Sequence, residues 1–166
     1  MIRKCIRRIV RLFREYRARR IVESYNGRIF IGGKTCLTSK TVLGSNVNFN
    51  GMKIRGNGRV IIGDNFHSGE ECLIITSNHN FDYGEAIPYD NTNIDKEVVF
   101  GDNVWLGSRV LVLGGVTIGE GAIIQAGSVV VKDIPPLAIA GGSPATVFKY
   151  RDKEHYYRLK EAGRFH

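Results

Sequence analysis

The sequence predicts a mainly β fold: a parallel β-helix of six-residue repeats, with a short helix at each end and one long excursion loop. Three observations carry this. Large apolar residues recur every sixth position through residues 100–131 without a slip, residues 77–99 drop that pattern completely, and the first 20 residues combine helical periodicity with dense positive charge.

Residues 1–26 read as a basic amphipathic helix. At about 100° per residue, Ile2, Cys5, Ile6, Ile9, Val10, Leu12, Phe13 and Tyr16 fall on one continuous face and the Arg and Lys residues on the other. Asn26-Gly27 supplies a stop. Charge is concentrated here. The formal net charge is +8; residues 1–20 hold nine of the 24 Lys and Arg residues against one acid, Glu15, and the remaining 15 basic and 15 acidic residues cancel. That distribution argues for one local basic device and against a surface that coats nucleic acid, so no nucleic-acid partner is expected. A basic amphipathic helix can lie in an anionic membrane surface. Peripheral membrane contact through residues 1–20 is therefore one expectation; packing between subunits, with the arginines solvated, is the other.

Residues 27–148 read as the β-helix. Phe100, Leu106, Val112, Ile118, Ile124 and Val130 form one six-spaced series, and Val104, Val110, Val116, Ala122 and Ser128 form a second, smaller one. Neither the i, i+3, i+4, i+7 spacing of a helix nor the alternation of a simple strand fits sixes sustained over this length. Short strands that turn a corner every six residues do fit, three to a triangular coil, with the large residue pointing inward and glycines such as Gly101, Gly107 and Gly119 relieving the corners. Ile31, Leu37, Leu43 and Phe49 give an earlier series, residues 50–59 interrupt it, and Ile62 restarts it. Residues 29–76 are thus the expected early coils and 98–134 the late ones. Residues 77–99 are polar and long for a loop in a compact domain, which favours function. Pro135-Pro136 is expected to break the coil. Residues 149–166 then form a helix and tail, helical over 150–162. Spacing does not decide handedness, and right-handed crossovers are the general rule.

Three cysteines without CxxC spacing, Cys5, Cys36 and Cys72, argue against a disulfide framework and fit a reducing cytoplasm. No run of 18 apolar residues exists, and the N-terminus is too charged for the apolar core of a signal peptide. A cytoplasmic protein is expected, located at the inner face of the membrane if the basic helix binds there.

Several stretches carry a family resemblance. Asn103-Val104-Trp105-Leu106-Gly107-Ser108, the run Ala126 to Pro136, Ala140 to Ala145, and Arg151 to Tyr157 together resemble the hexapeptide-repeat acyltransferases, in particular the maltose/galactoside acetyltransferase branch and the sugar O-acetyltransferases of surface-polysaccharide pathways. The resemblance covers about residues 40–157. It implies a left-handed parallel β-helix, a homotrimer with active sites between neighbouring subunits, acetyl-CoA as donor, a carbohydrate acceptor and a histidine base, with no metal. The short, intensely basic N-terminal helix departs from the branch.

Acetyl transfer to an alcohol requires a base for the hydroxyl proton, a thioester held within attack distance and a donor for the tetrahedral oxyanion. A neutral imidazole suits the first task. The family places its histidine just after the strand that here ends Leu73-Ile74-Ile75, which singles out His79. Asp82 or Asp64 would orient its ring, or a backbone carbonyl would. Asn48 resembles the acceptor-sugar contact, the alternative being a corner asparagine; Asp82 and Tyr83 would help hold the sugar. For the cofactor, the resemblance assigns Trp105 to the CoA arm, Gly107 and Ser108 to backbone contacts with the pantetheine, with a nearby backbone N–H as oxyanion donor, small Ala126 (followed by Gly127) to the path of the arm, and Lys132 and Lys149 to the phosphates. Thr146 stands where the branch is basic. His67 reads as a structural side chain on a coil face, and His155 and His166 belong to the tail.

Other chemistries fit poorly. A zinc carbonic anhydrase on this fold needs three histidines, and His67 and His79 lack a third at the right spacing. There is no GxSxG, P-loop or GxGxxG motif. The alternatives that remain are a serine acetyltransferase-like enzyme and a non-catalytic β-helix scaffold.

Overall fold

The computed structural model describes the backbone of residues 2–166 and the side chains from Cys5 onward; Met1, and Ile2 as a member of the predicted apolar face, lie outside that description. Helix α1 (Ile2–Ile21) leads into a first coil of β1 (Ser24–Tyr25) and β2 (Ile29–Ile31). The second coil is β3 (Thr41–Leu43), β4 (Val47–Phe49) and β5 (Met52–Arg55), and the third is β6 (Val60–Ile62), β7 (His67–Ser68) and β8 (Cys72–Ile75). An excursion follows, carrying β9 (Ser77–His79) and β10 (Asn93–Asp95). The fourth coil is β11 (Val98–Phe100), β12 (Trp105–Leu106) and β13 (Leu111–Leu113), and the fifth is β14 (Thr117–Ile118), β15 (Ile123–Ile124) and β16 (Val129–Val130). Strands β17 (Ala138–Gly142) and β18 (Ala145–Tyr150) and helix α2 (Lys153–Glu161) close the chain.

Each face of the prism is one sheet. The first runs β1-β3-β6-β11-β14, the second β2-β4-β7-β12-β15-β17-β18 and the third β5-β8-β13-β16. Pairing between coils is parallel, with partners 18 residues apart in the late coils: Val99 with Thr117, Trp105 with Ile123, Leu111 with Val129. Three sides of six residues make one coil, as the repeat requires. The coils wind left-handed, the exception to the usual crossover rule. Every member of the late series, large and small, is essentially sealed from solvent. Phe49, Phe66 and Phe100 stack along the axis with centroids 5.7 and 5.3 Å apart. At the corner after β12, a Cβ on Gly107 would lie 2.5 Å from the Ala126 amide nitrogen, so close backbone approach demands glycine there.

Four boundaries differ from the expectations. Helix α1 ends five residues before Asn26-Gly27, because Glu23 N–H donates to the Thr41 carbonyl and Ser24–Tyr25 join the first sheet beside β3. Within residues 50–59, Met52 and Ile54 are buried core of β5; the inward positions slip there to Phe49, Ile54 and Ile62, which hides the repeat. Pro135-Pro136 does not end the solenoid. The prolines occupy a corner, Ile134 bridges to Ile118, and β17 continues the second sheet beside β15. Helix α2 begins at Lys153 instead of 150, since Tyr150 belongs to β18, and Asp152 caps it by accepting from His155 N–H at 2.7 Å. The second sheet carries an added element at each end. At the start, α1 buries Ala18 and Val22, and Arg14 Nη1 donates to the Gly32 carbonyl at 3.1 Å; at the finish, β18 turns back antiparallel on β17.

Candidate functional site

The excursion is inserted between β8 and β11. Val60 and Val98 pair 38 residues apart, which is 20 more than one coil. It leaves the prism as an antiparallel ribbon, β9 against β10, with His79 opposite Asn93. A carboxylate network anchors the base of this ribbon. Asp95 accepts from Asn57 Nδ2 at 2.9 Å and closely from Ser77 Oγ, while Asn57 N–H donates to Ser77 Oγ at 2.8 Å. These hydrogen bonds, the one from Ser77 foremost, hold the Asp95 carboxyl below its ordinary range. Farther out, Asp90 accepts from Glu85 N–H at 2.9 Å and from Thr92 N–H at 2.8 Å, folding the tip back on itself.

His79 is exposed on the ribbon and its ring lies flat against Tyr89, with centroids 3.7 Å apart and planes 4° from parallel. That stack is what orients the imidazole in this chain. Asp82 and Tyr83 are exposed on the loop, Tyr83 almost fully, and make no bond to His79. Asp64 is engaged at a corner of the prism, accepting from Ser45 N–H at 2.6 Å. Neither carboxylate bonds the His79 ring within this chain. Tyr89 was not singled out from the sequence; its one signal was an aromatic in a polar loop that needs something to pack its histidine.

A second cluster lies on the outer side of the second face. The register brings Asn48, His67 and Trp105 into one row across β4, β7 and β12. Asn48 is on a strand facing outward; the left-handed corner asparagines are Asn46, Asn65 and Asn103, with φ of 55°, 53° and 59°. Asn48 Nδ2 lies 3.1 Å from the Asn46 carbonyl and 3.4 Å from His67 Nε2. His67 is half-buried, stacked on His166 at 5.4 Å, and desolvation pushes its pKa down. Asn65, His67, Asn103, Val104, Trp105 and His166 line a cavity of about 340 Å³. Trp105 is half exposed at its edge. His67 lies on a coil face, as expected, between Asn48 and Trp105, the residues assigned to acceptor and cofactor.

The remaining cofactor candidates flank that face. Ile123 and Ile139 continue the Trp105 row, and Lys149 on β18 pairs with Ile139. Ala126, Gly127, Ser108 and Lys132 are exposed around the corner between the second and third faces and beyond it. Gly107 N–H donates to the Ile124 carbonyl at 2.8 Å within the second sheet. Ser108 Oγ accepts from Glu70 N–H at 3.2 Å. Among the described residues no group of three or more His, Cys, Asp or Glu side chains could hold a metal ion.

Within one chain the structure does not unite the two clusters. His79 leaves the end of the third face, whereas Asn48 and Trp105 project from the second.

Residues 97–132 match the family model described as bacterial transferase hexapeptide (six repeats). The galactoside O-acetyltransferase of Escherichia coli is 47% identical over 64 residues, 37% of this chain and 32% of that protein. The chain spans 45% and 32% of the length of two curated relatives it matches. Among solved structures, a galactoside acetyltransferase in complex with coenzyme A aligns with a TM-score of 0.66 at 30% identity, covering 80% of this chain and 66% of that one. A maltose O-acetyltransferase from Clostridium difficile 630 aligns with a TM-score of 0.63 at 30% identity, covering 78% and 66%.

Proposed function

We propose that this hexapeptide-repeat β-helix protein is an O-acetyltransferase that moves an acetyl group from acetyl-CoA to a hydroxyl of a sugar or surface-polysaccharide precursor. His79 accepts the proton of the attacking hydroxyl. The acceptor oxygen bonds to the thioester carbonyl carbon, the tetrahedral intermediate collapses, the carbon–sulfur bond breaks, and the imidazolium returns its proton to the departing CoA thiolate. Trp105, Gly107, Ser108 and Ala126 border the pantetheine arm, Lys132 and Lys149 meet the CoA phosphates, and a nearby backbone N–H stabilises the developing oxyanion. Asn48, Asp82 and Tyr83 contact the acceptor.

The observation that carries this is the pairing of an exposed, stacked imidazole on the ribbon with a half-exposed tryptophan on another face. A homotrimer reconciles them, because a neighbouring copy can bring its second face against the ribbon. The exposed apolar side chains of the excursion, Phe81 and Ile87 among them, would gain cover in the same assembly. The protein works in the cytoplasm, with residues 1–20 touching the inner face of the membrane.

A screen of free sugars, nucleotide sugars and glycans with acetyl-CoA, read by thiol release, tests this directly. Turnover with at least one carbohydrate, lowered roughly 10²–10⁴-fold by His79→Ala, is the expected outcome. A well-folded oligomer that releases no thiol with any acceptor would instead favour a scaffold.

A further inference from the structure

Helix α1 is mounted the wrong way round for a soluble helix. A surface helix normally buries its apolar stripe and shows its charges to water. Here the side against the prism is built from Arg11, Arg14, Ala18 and Val22. Arg14 bonds the Gly32 carbonyl, the Arg11 guanidinium covers the Phe30 ring at 5.1 Å, and Ala18 and Val22 are buried. The opposite side carries Ile6, Ile9, Val10, Leu12, Phe13 and Tyr16, all between 40% and 60% exposed. Cations edge this apolar face. Arg8 and Arg19 lie along one margin and Arg17 toward the other, all exposed, with Arg17 beside the Phe13 ring at 6.0 Å, while Arg20 stands on the face itself at its C-terminal end, donating to the Tyr16 hydroxyl at 3.5 Å.

We infer that this outward face seats in the surface of an anionic bilayer, with α1 lying in the membrane plane and fixed to the prism by its basic side. The inference deepens the membrane contact proposed above and rests on it for location, but on nothing in the acetyl-transfer chemistry. Charge selects the occupant. Nine basic residues in twenty, with the one acid, Glu15, 3.4 Å from Arg11, leave a face rimmed by positive charge. A second copy of the same helix would bring like charge against like, and interface cores are depleted in charge. Anionic headgroups supply the counter-charge while the acyl boundary takes up the apolar side chains, with Tyr16 and Phe13 at headgroup depth. Because α1 also bonds Gly32, just past the edge strand β2, and covers Phe30 within it, insertion would hold the first coil of the prism at the bilayer and bring membrane-presented acceptors within reach.

The test uses the full chain with vesicles rich in phosphatidylglycerol and, in parallel, pure phosphatidylcholine vesicles. The wild type should co-sediment with the former and release from them as salt rises. The double variant Ile9→Glu/Phe13→Glu should lose at least about tenfold in vesicle affinity. Its melting curve, oligomeric state and turnover on any water-soluble acceptor should be unchanged, since both side chains are exposed and outside the site. Wild type left in the supernatant with anionic vesicles would overturn the inference. Undiminished binding by the double variant would overturn it as well, because arginines alone would then account for the contact. A changed oligomeric state in that variant would show that the face meets another copy. Failure of acetyl transfer on every acceptor would sink the proposed chemistry and leave the vesicle result standing.

Discussion

His67 and His79 occupy contrasting regions of one molecule. His67 belongs to the prism: its backbone is locked into the second sheet, Asn48 and His166 crowd its ring, and burial depresses its pKa. His79 belongs to the ribbon that leaves the prism, exposed on both sides but for the flat contact with Tyr89. The prism specifies position by repetition, whereas the ribbon specifies it through a few side-chain contacts at its base. A rigid repeat is well suited to carry a long cofactor arm, and an outlying ribbon can reach a neighbouring subunit. On the proposed reaction, structure and binding fall to the first histidine and proton transfer to the second.

Mutation can break that assignment. His79→Ala should cost roughly 10²–10⁴-fold in kcat with the melting temperature unchanged, while His67→Ala should change kcat only a few-fold. Reversal of these two effects in thiol-release kinetics would exchange the roles. The prism should be the stability-critical region. Phe66→Ala, at the middle of the axial aromatic stack, should destabilise by about 3–5 kcal/mol in denaturant melts. Tyr89→Ala should lower kcat by about two- to tenfold through loss of the stack, with Tyr89→Phe close to wild type; equal losses in both would implicate the hydroxyl instead of the ring face.

The smallest effect is on pH dependence. The folded His67 pKa lies below the ordinary 6.5, because burial disfavours the imidazolium. The unfolded chain therefore binds the proton more readily. Stability should be full above about pH 6.5, decline as pH falls from there through the folded pKa, and level off below it. His67→Gln should flatten that part of the stability profile, and an unchanged profile would remove the burial argument.

How much of this the sequence disclosed follows the same division. The late coils were legible because Phe100 to Val130 repeat without a slip and all six point inward. The second-to-third coil passage was not, because the step from Phe49 to Ile54 is five residues and from Ile54 to Ile62 eight, so strand β5 looked like an interruption. Pro135-Pro136 misled for another reason: proline removes a donor, but a corner of a coil does not need that donor, so the solenoid passes through. His79 was singled out through its place after β8, while its stacking partner Tyr89 was not, because no local spacing encodes a contact made across ten residues of irregular loop. The orientation of α1 was equally hidden. Its two faces were plain, but which of them docks depends on the edge carbonyl of Gly32 and the ring of Phe30, neither of which is near it in sequence.

The central claim is that the ribbon of one copy and the second face of another make a single site, and subunit complementation tests it most directly. His79→Ala and Trp105→Ala chains, each impaired alone, are unfolded together in equal amounts, refolded and assayed with acetyl-CoA. A cyclic trimer assembled at random would contain about a quarter of interfaces with both residues intact, so activity should recover to about that fraction of wild type. If the mixed oligomer is no more active than its separate parents, His79 and Trp105 do not serve one site across a subunit boundary.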